Sequence, residues 1–304
     1  MAGGLVRGLP IVLAILTALA AAPVAAGAAD ERVTPTAAGR FIEARLSIDE
    51  VGIDADWYLP AGNATALLIL QHGYTRDCAN LRGTSMQLME HGLMVLCLNA
   101  QMSGGNPLLA DALAALLAAG LTAPDGQVVP RQIIVGGHSA GAAFAARVGW
   151  RLAQAAPGRL LGALFFDPVA SGNFARFLLA ISDAGSRPVL AISARPGGCN
   201  AQSNALPALR LVRRAALDAG HDGFVGVMLT DRSTHVDVEG SDTTAFAVRA
   251  CGQGAPLPAN TAALRRLASE WALVMAVGER ETKGRAGGVA APPWSLDAAA
   301  VPIE

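Results

Sequence analysis

A nine-residue stretch, Ile133 to Gly141 with the sequence IIVGGHSAG, constrains the possible folds of this 304-residue chain more than any other feature. A β-branched apolar run enters a Gly-His-Ser-Ala-Gly turn, and an alanine-rich segment with helical character follows. A serine between two glycines at such a junction is typical of a nucleophile elbow, in which the hydroxyl projects above a sheet. An incidental serine in a glycine-rich turn is the alternative. The flanking strand and helix favour Ser139 as a nucleophile.

The N-terminus has the three-part form of a secretory signal. Arg7 precedes an apolar run from Leu9 to Ala22, and the small residues that follow include an Ala-Gly-Ala site that predicts cleavage after Ala28. The apolar run is short for a bilayer span, so an uncleaved anchor is the less favoured alternative. We therefore expect residues 1–28 to be a signal peptide, and the mature protein to be secreted or periplasmic without stable membrane insertion.

Charge and cysteine content narrow the function classes. The formal net charge is −1 and charged residues make up 15% of the chain, so nothing predicts a nucleic-acid surface or an acidic partner. Four cysteines without a C-x-x-C pair argue against a metal site, and export favours disulfides. We expect Cys78–Cys97 and Cys199–Cys251 among the three possible connectivities, because each pair lies within one half of the chain. Four free thiols are the alternative.

The order of apolar segments predicts the architecture. Two antiparallel strands, Phe41–Ile48 and Val51–Leu59, precede five or six strand-helix units, and the serine turn follows the third buried strand. A mostly parallel sheet with helices on both faces is expected, in the order of the α/β-hydrolase fold. Residues 29–283 should form this one catalytic domain. The Gly-, Ala- and Pro-rich residues 284–304 are expected to be a flexible tail.

A serine hydroxyl needs a base to take its proton and an acid to orient that base. In this fold both follow the serine, the acid before the histidine. Two histidines follow Ser139 in the chain. His221 lies at a predicted helix end and is interpreted as a turn residue. His235 follows the last predicted strand, so we predict it to be the base; an ordinary surface-loop position is the alternative.

The predicted acid is Asp167. The usual acid position follows the strand that ends at Ser193, where the sequence Ala-Arg-Pro-Gly offers no carboxylate. Asp167 comes one strand earlier, at the carboxyl end of a buried strand, where catalytic groups collect in open α/β sheets. Capping of the next helix is its alternative role. Asp231 and Asp237 are weaker rivals, because they lie very close to His235 in the sequence.

Two backbone amides are expected to stabilise the oxyanion. One belongs to Ala140, directly after the nucleophile, and the other to Tyr74, in the loop after a strand that ends in His-Gly. The Tyr74 ring is also predicted to line the acyl pocket. His72 is interpreted as a structural partner of this loop. His138, inside the serine turn, has a similar status and is also predicted to border the substrate.

Four segments resemble the corresponding positions of chlorophyllase-like and polyester-hydrolase (cutinase-like) α/β hydrolases. They are His72–Thr75, Gly137–Gly141, Leu164–Ala170 and Ser233–Asp237. The Asp-Pro-Val-Ala segment is the most specific, because chlorophyllase-type sequences place their triad acid there. The resemblance spans about Phe41 to Val277 and implies Ser139, Asp167 and His235 as the triad. It departs at Ala140, where plant chlorophyllases usually have arginine.

The sequence therefore predicts a secreted serine hydrolase that cleaves carboxylic esters through an acyl-enzyme. A small-molecule or polymeric ester is the expected partner, and no metal or organic cofactor is implied. Three alternatives stay open: a chlorophyllase-type pigment-ester hydrolase, a peptidase or amidase with the same triad, and a catalytically silent relative that only binds a ligand or a cell-envelope partner. The presence of all three triad residue types argues against the silent relative.

Overall fold

The computed structural model describes residues 27–230, 232–278, 294 and 300–304, with side chains from residue 32 onward. Residues 1–26 of the predicted signal peptide lie outside this part of the chain, as do residues 284–293 and 295–299 of the predicted tail. Within the described ranges, no helix combines the length and the apolarity that crossing a bilayer requires.

The described residues form one ten-stranded sheet. Its strands are β1 (Gly27–Thr36), β2 (Gly39–Ile48), β3 (Val51–Pro60), β4 (Leu67–Gln71), β5 (Met94–Leu98), β6 (Ile133–His138), β7 (Leu160–Phe166), β8 (Val189–Ser193), β9 (Gly226–Leu229) and β10 (Ala300–Pro302). Their order is β1-β2-β3-β5-β4-β6-β7-β8-β9-β10. Strands β4 to β9 run parallel, whereas β1, β2, β3 and β10 pair antiparallel. The predicted mostly parallel sheet is confirmed.

Helices cover both faces of the sheet. They are α1 (Arg82–Glu90), α2 (Pro107–Ala119), α3 (Ala140–Ala155), α4 (Phe174–Ser182), α5 (Leu206–Asp218), α6 (Ala245–Cys251) and α7 (Pro258–Val277). Helices α2 to α5 pack around one apolar cluster, and α1 and α7 around the other. Consecutive residues Phe165 and Phe166 belong to different clusters, because neighbouring side chains of a strand point to opposite faces. The central strands are therefore apolar throughout.

The last residues of the chain differ from the prediction of a flexible tail. Strand β10 pairs with β9, and the N–H of Ile303 donates to the carbonyl of Gly226 at 3.0 Å. Ile303 and Trp294 are both buried, and the Trp294 ring stacks on Phe224. The Ala- and Pro-rich composition did not indicate this short strand. It lies at the edge of the sheet, where the missing N–H of Pro302 is tolerated. The prediction of a flexible tail is wrong for residue 294 and residues 300–304.

A buried carboxyl on β3 gives the fold a pH-dependent stability. Asp56 is 3% exposed, and its main neighbour is the side-chain amide of Asn99, which donates to Oδ1 at 2.9 Å. Burial raises the pKa of Asp56 from 3.8 to about 6, although the bond from Asn99 opposes the shift. The native state therefore holds this proton more tightly than the unfolded chain does. Its contribution to stability is greatest at low pH and falls as pH rises from about 4 to about 6.

Asp56→Asn is expected to raise the free energy of unfolding by up to about 3 kcal/mol at about pH 8, and by much less at about pH 4. The neutral amide removes the desolvated charge, and the nearby Tyr58 hydroxyl can accept from it. Urea unfolding at both pH values measures the effect. Asp54→Asn is the matched control, because that side chain is 74% exposed on the same strand. An equal gain at both pH values would contradict the role given to burial.

Candidate active site

The serine turn lies between β6 and α3, as the sequence predicts. Ser139 has φ 55° and ψ −125°, a conformation that L residues rarely adopt. Close packing requires glycine on both sides. A Cβ at Gly137 would lie 2.4 Å from the carbonyl oxygen of Gly141, and a Cβ at Gly141 would lie 2.3 Å from that of Gln71. The chain is therefore forced into a sharp strand-to-helix turn with the serine at its apex.

The turn that carries Asp167 is tied directly to the serine turn. The N–H of Ser139 donates to the carbonyl of Phe166 at 3.2 Å, and the carbonyl of Ser139 accepts from the N–H of Val169 at 3.1 Å. Asp167 lies between these two partners, with φ 38°, and its own N–H donates to the carbonyl of Ile192 at 2.8 Å. Both side chains thus emerge at the carboxyl edge of the parallel strands.

The carboxylate of Asp167 is buried and has hydrogen-bond donors on both oxygens. Oδ2 lies 2.5 Å from Nδ1 of His235, and Oδ1 accepts from the N–H of Ala194 at 3.0 Å. The side-chain amide of Asn200 donates to both oxygens at 3.0 and 3.1 Å. An ionised carboxylate only accepts, so this set of donors suits the charged form. With the proton on Nδ1 directed at Asp167, His235 keeps a lone pair on Nε2, which is the tautomer of a general base.

Asp237, one of the two rival acids, faces its own loop. Its carboxylate accepts from the N–H of Thr234 at 2.8 Å and from the Thr234 hydroxyl at 2.9 Å. Burial raises the pKa of Asp237, and these bonds oppose the shift. The other rival, Asp231, lies outside the described residues. The geometry therefore favours Asp167 as the partner of His235.

The backbone of His235 is held on both sides. Its N–H donates to Oε1 of Gln253 at 3.0 Å, and its carbonyl accepts from Nε2 of His138 at 2.8 Å. The two histidine rings lie 4.6 Å apart between centroids, so His235 lies beside the residue that precedes Ser139. Among the described residues the Ser139 hydroxyl makes no hydrogen bond. Contacts between nucleophile and base commonly tighten only with substrate bound.

The loop after β4 passes close to Ser139. A Cβ at Gly73 would lie 2.9 Å from Cβ of Ser139, so only glycine lets the backbone approach this far. In the described part of the chain, the N–H groups of Tyr74 and Ala140 donate to no other group. The Tyr74 side chain is 58% exposed. Both predicted oxyanion donors are therefore unpaired among the described residues.

Two of the three buried histidines of this region, His72 and His138, make contacts that suit a structural role. Nδ1 of His72 donates to the carbonyl of Gly73 at 2.9 Å, in keeping with its expected place in the loop. His138 is 1% exposed, and its ring is enclosed between the backbone of His235 and the side chain of Glu239. Burial, followed by the nearby His235, lowers the pKa of His138 well below the usual value. The prediction that His138 borders the substrate is wrong, because protein atoms surround its ring.

Both disulfides have the expected pairing, with Cα–Cα distances of 5.8 Å for Cys78–Cys97 and 5.2 Å for Cys199–Cys251. Cys199 directly precedes Asn200, which binds Asp167. Cys251 lies two residues before Gln253, which holds the N–H of His235. The second disulfide therefore joins the segments that fix the proposed acid and the proposed base.

Replacing Cys199 and Cys251 together by serine should lower both the melting temperature and kcat. The bond closes a loop of 52 residues, worth about 4 kcal/mol in the entropy model. A displacement of about 1 Å in the catalytic groups can reduce the rate by about 10²-fold. Calorimetry and ester turnover, measured well below the melting temperature of the variant, test the two effects. An unchanged kcat would mean that the bond contributes to stability alone. If the melting temperature were unchanged as well, the bond would anchor neither segment.

Solved structures with a similar fold include hydrolases. A dienelactone hydrolase from Anabaena variabilis is 16% identical, with a TM-score of 0.51 over 80% of this chain and 97% of its own. A thermostable esterase from Pseudomonas putida is 15% identical, with a TM-score of 0.50 over 79% of this chain and 81% of its own. The chain has the α/β-hydrolase fold. An esterase from Pyrobaculum calidifontis agrees, at 14% identity and a TM-score of 0.50 over 77% of this chain and 82% of its own.

No protein-family model and no curated protein matches the chain. The assignment of the α/β-hydrolase fold therefore rests on the comparison of structures. Among the described residues, no group of three or more His, Cys, Asp and Glu side chains suits a metal ion.

The sequence did not indicate four residues that hold the site together. Asn200 and Gln253 position the proposed acid and base, and Arg76 and Glu239 form a buried ion pair beside His138. Asn200 and Gln253 lie next to the paired cysteines, so the predicted disulfide was a usable signal for them. No local pattern identifies Arg76 and Glu239, because they are 163 residues apart.

Proposed function

We propose that this protein is a serine hydrolase that cleaves carboxylic esters through an acyl-enzyme intermediate. The observation that carries the proposal is the contact between Nδ1 of His235 and Oδ2 of Asp167, beside the strained turn of Ser139. A carboxylate, an imidazole and a serine hydroxyl in this order are the groups that acyl transfer needs. The similar solved structures include a dienelactone hydrolase and esterases, which supports ester bonds as the target.

In the proposed reaction, Ser139 Oγ attacks the ester carbonyl while Nε2 of His235 takes its proton. Asp167 keeps the imidazole oriented and stabilises the imidazolium that forms. The N–H groups of Tyr74 and Ala140 donate to the oxyanion of the tetrahedral intermediate. His235 then protonates the leaving alkoxide, and a water molecule activated by the same histidine releases the acid and restores Ser139.

We place the enzyme outside the cytoplasm, secreted or in a periplasm. The two disulfides support this location, because such bonds persist in oxidising compartments. The signal at residues 1–28 supports it from the sequence alone. On this proposal the catalytic domain of the exported protein is residues 29–283, extended by the C-terminal residues that complete the sheet.

Turnover of matched esters and amides tests the proposal. Purified protein should hydrolyse p-nitrophenyl esters, with a burst of about one p-nitrophenol per molecule where the acyl-enzyme accumulates. The p-nitroanilide of the same acyl group should react far more slowly. A preference for the anilide would favour an amidase, and no turnover of any ester by folded protein would favour a silent binding protein. Esters of increasing acyl length and a soluble polyester, run in parallel, define the substrate class.

A further inference from the structure

A buried ion pair connects the loop of the proposed oxyanion donor to the histidine loop. Arg76, two residues after Tyr74, donates from Nε to Oε1 of Glu239 at 2.8 Å and from Nη2 to Oε2. The side chains of Arg76 and Glu239 are 10% and 0% exposed. Nη1 of Arg76 also donates to Oγ1 of Thr244 at 3.1 Å, and Thr244 caps the N-terminus of α6. The Arg76 guanidinium therefore connects the loop of Tyr74 to the loop of Glu239 and to the N-terminus of α6.

Burial of this pair has no evident advantage for stability. Desolvation of two charges commonly cancels their attraction, and an apolar pair of similar volume often stabilises a fold as well or better. The pair lies instead where a charge matters for the proposed reaction. Oε1 of Glu239 is 3.8 Å from Nδ1 of His138, a nitrogen without a hydrogen-bond partner among the described residues. His138 in turn donates to the carbonyl of His235.

We propose that Arg76 and Glu239 are positioning residues that fix the loop of Tyr74 against the histidine loop and balance the charge beside His235. This inference rests on the proposed function, because it requires His235 to act as the base. Because their side chains are almost fully buried, we expect neither residue to contact substrate. They act through the loop geometry and through the electric field at the imidazole.

The charged groups around His235 determine the expected direction of the effect. Asp167 faces Nδ1, and His138 faces the backbone and the ring. Beyond His138 lie Glu239 and Arg76, whose charges cancel. The other carboxylate of the loop, that of Asp237, is directed at Thr234. Burial keeps His138 neutral by lowering its pKa, so it separates the pair from His235 without adding a charge.

Glu239→Gln is the decisive variant, because it leaves the buried cation of Arg76 uncompensated. A cation near His235 disfavours the imidazolium, so the acid limb of the kcat/KM profile should move to lower pH by about one unit. Asp111→Asn is the matched control. Its carboxylate also forms a bidentate contact with an arginine, because Arg147 donates to both oxygens at 2.7 Å. This pair lies between helices α2 and α3, away from the site. The acid limb of the kcat/KM profile of Asp111→Asn should have the same midpoint as that of the wild type.

Arg76→Lys separates charge from geometry. Lysine keeps the positive charge but cannot form the bidentate contact with Glu239. The midpoint of the acid limb should therefore stay in place while kcat falls about tenfold. Should Glu239→Gln not fold, the charge-free double variant Arg76→Met, Glu239→Gln replaces it. That variant should keep the wild-type midpoint and lose about tenfold in kcat.

The pH profiles decide between the outcomes. A downward shift for Glu239→Gln with an unmoved Asp111→Asn supports the inference. An unmoved or upward midpoint for Glu239→Gln overturns it, as does full activity of the double variant where that variant is needed. Wild-type protein without ester turnover would instead refute the proposed function, so the two failures are distinguishable.

Discussion

Asp167→Asn is expected to lower kcat by about 10³- to 10⁴-fold without unfolding the protein. Both carboxylate oxygens face donors, from Ala194, Asn200 and Nδ1 of His235. An amide at this position presents its NH₂ group to one of these donors. The imidazole then loses the acceptor that keeps its proton on Nδ1, and Nε2 no longer serves as the base. Steady-state turnover of a p-nitrophenyl ester measures the loss.

The same substitution at an exposed carboxylate is the control. Asp183, at the end of α4, is 65% exposed, and its side chain pairs with Arg187 and Ser186. Asp183→Asn should retain near wild-type activity. A large loss for Asp237→Asn or Asp231→Asn, with little loss for Asp167→Asn, would show that the acid has been assigned to the wrong strand.

Ser139→Ala should abolish turnover, with a loss of at least about 10³-fold. The substitution removes one oxygen, and the methyl side chain of alanine meets the φ of 55° with the same strain as the side chain of serine. The fold should therefore persist, as circular dichroism can check. Ser186→Ala, at the exposed turn after α4, removes the same oxygen from a remote site and should have no effect. Unchanged turnover by folded Ser139→Ala would rule out the proposed mechanism.

Local patterns predicted most of the fold and the proposed triad. A buried strand, β7, ends directly before Asp167 as predicted, and the two predicted antiparallel strands match β2 and β3 within two residues at each end. These elements are continuous apolar runs or clear alternations bounded by turns. Catalytic candidates could be placed because side chains that follow parallel strands meet at one edge of the sheet.

Contacts between distant segments could not be predicted in the same way. The support of Asp167 by Asn200, and of His235 by Gln253, depends on how loops fold onto one another. Composition misjudged the C-terminus, because a three-residue edge strand at Ala300–Pro302 has too few residues for a pattern. His138 lies next to the proposed nucleophile in sequence, yet its ring is buried in the protein. Sequence proximity to Ser139 did not imply access to substrate.

Labelling with a fluorophosphonate probe, followed by peptide mapping, tests the central claim most directly. An activated serine displaces fluoride and becomes phosphonylated, whereas an ordinary serine does not react. We expect about one label per molecule, on the peptide that contains Ser139, and no label on Ser139→Ala. Labelling should be much slower for Asp167→Asn. Folded wild-type protein that takes up no label, or a label that persists in Ser139→Ala, would contradict the assignment of Ser139 as the nucleophile.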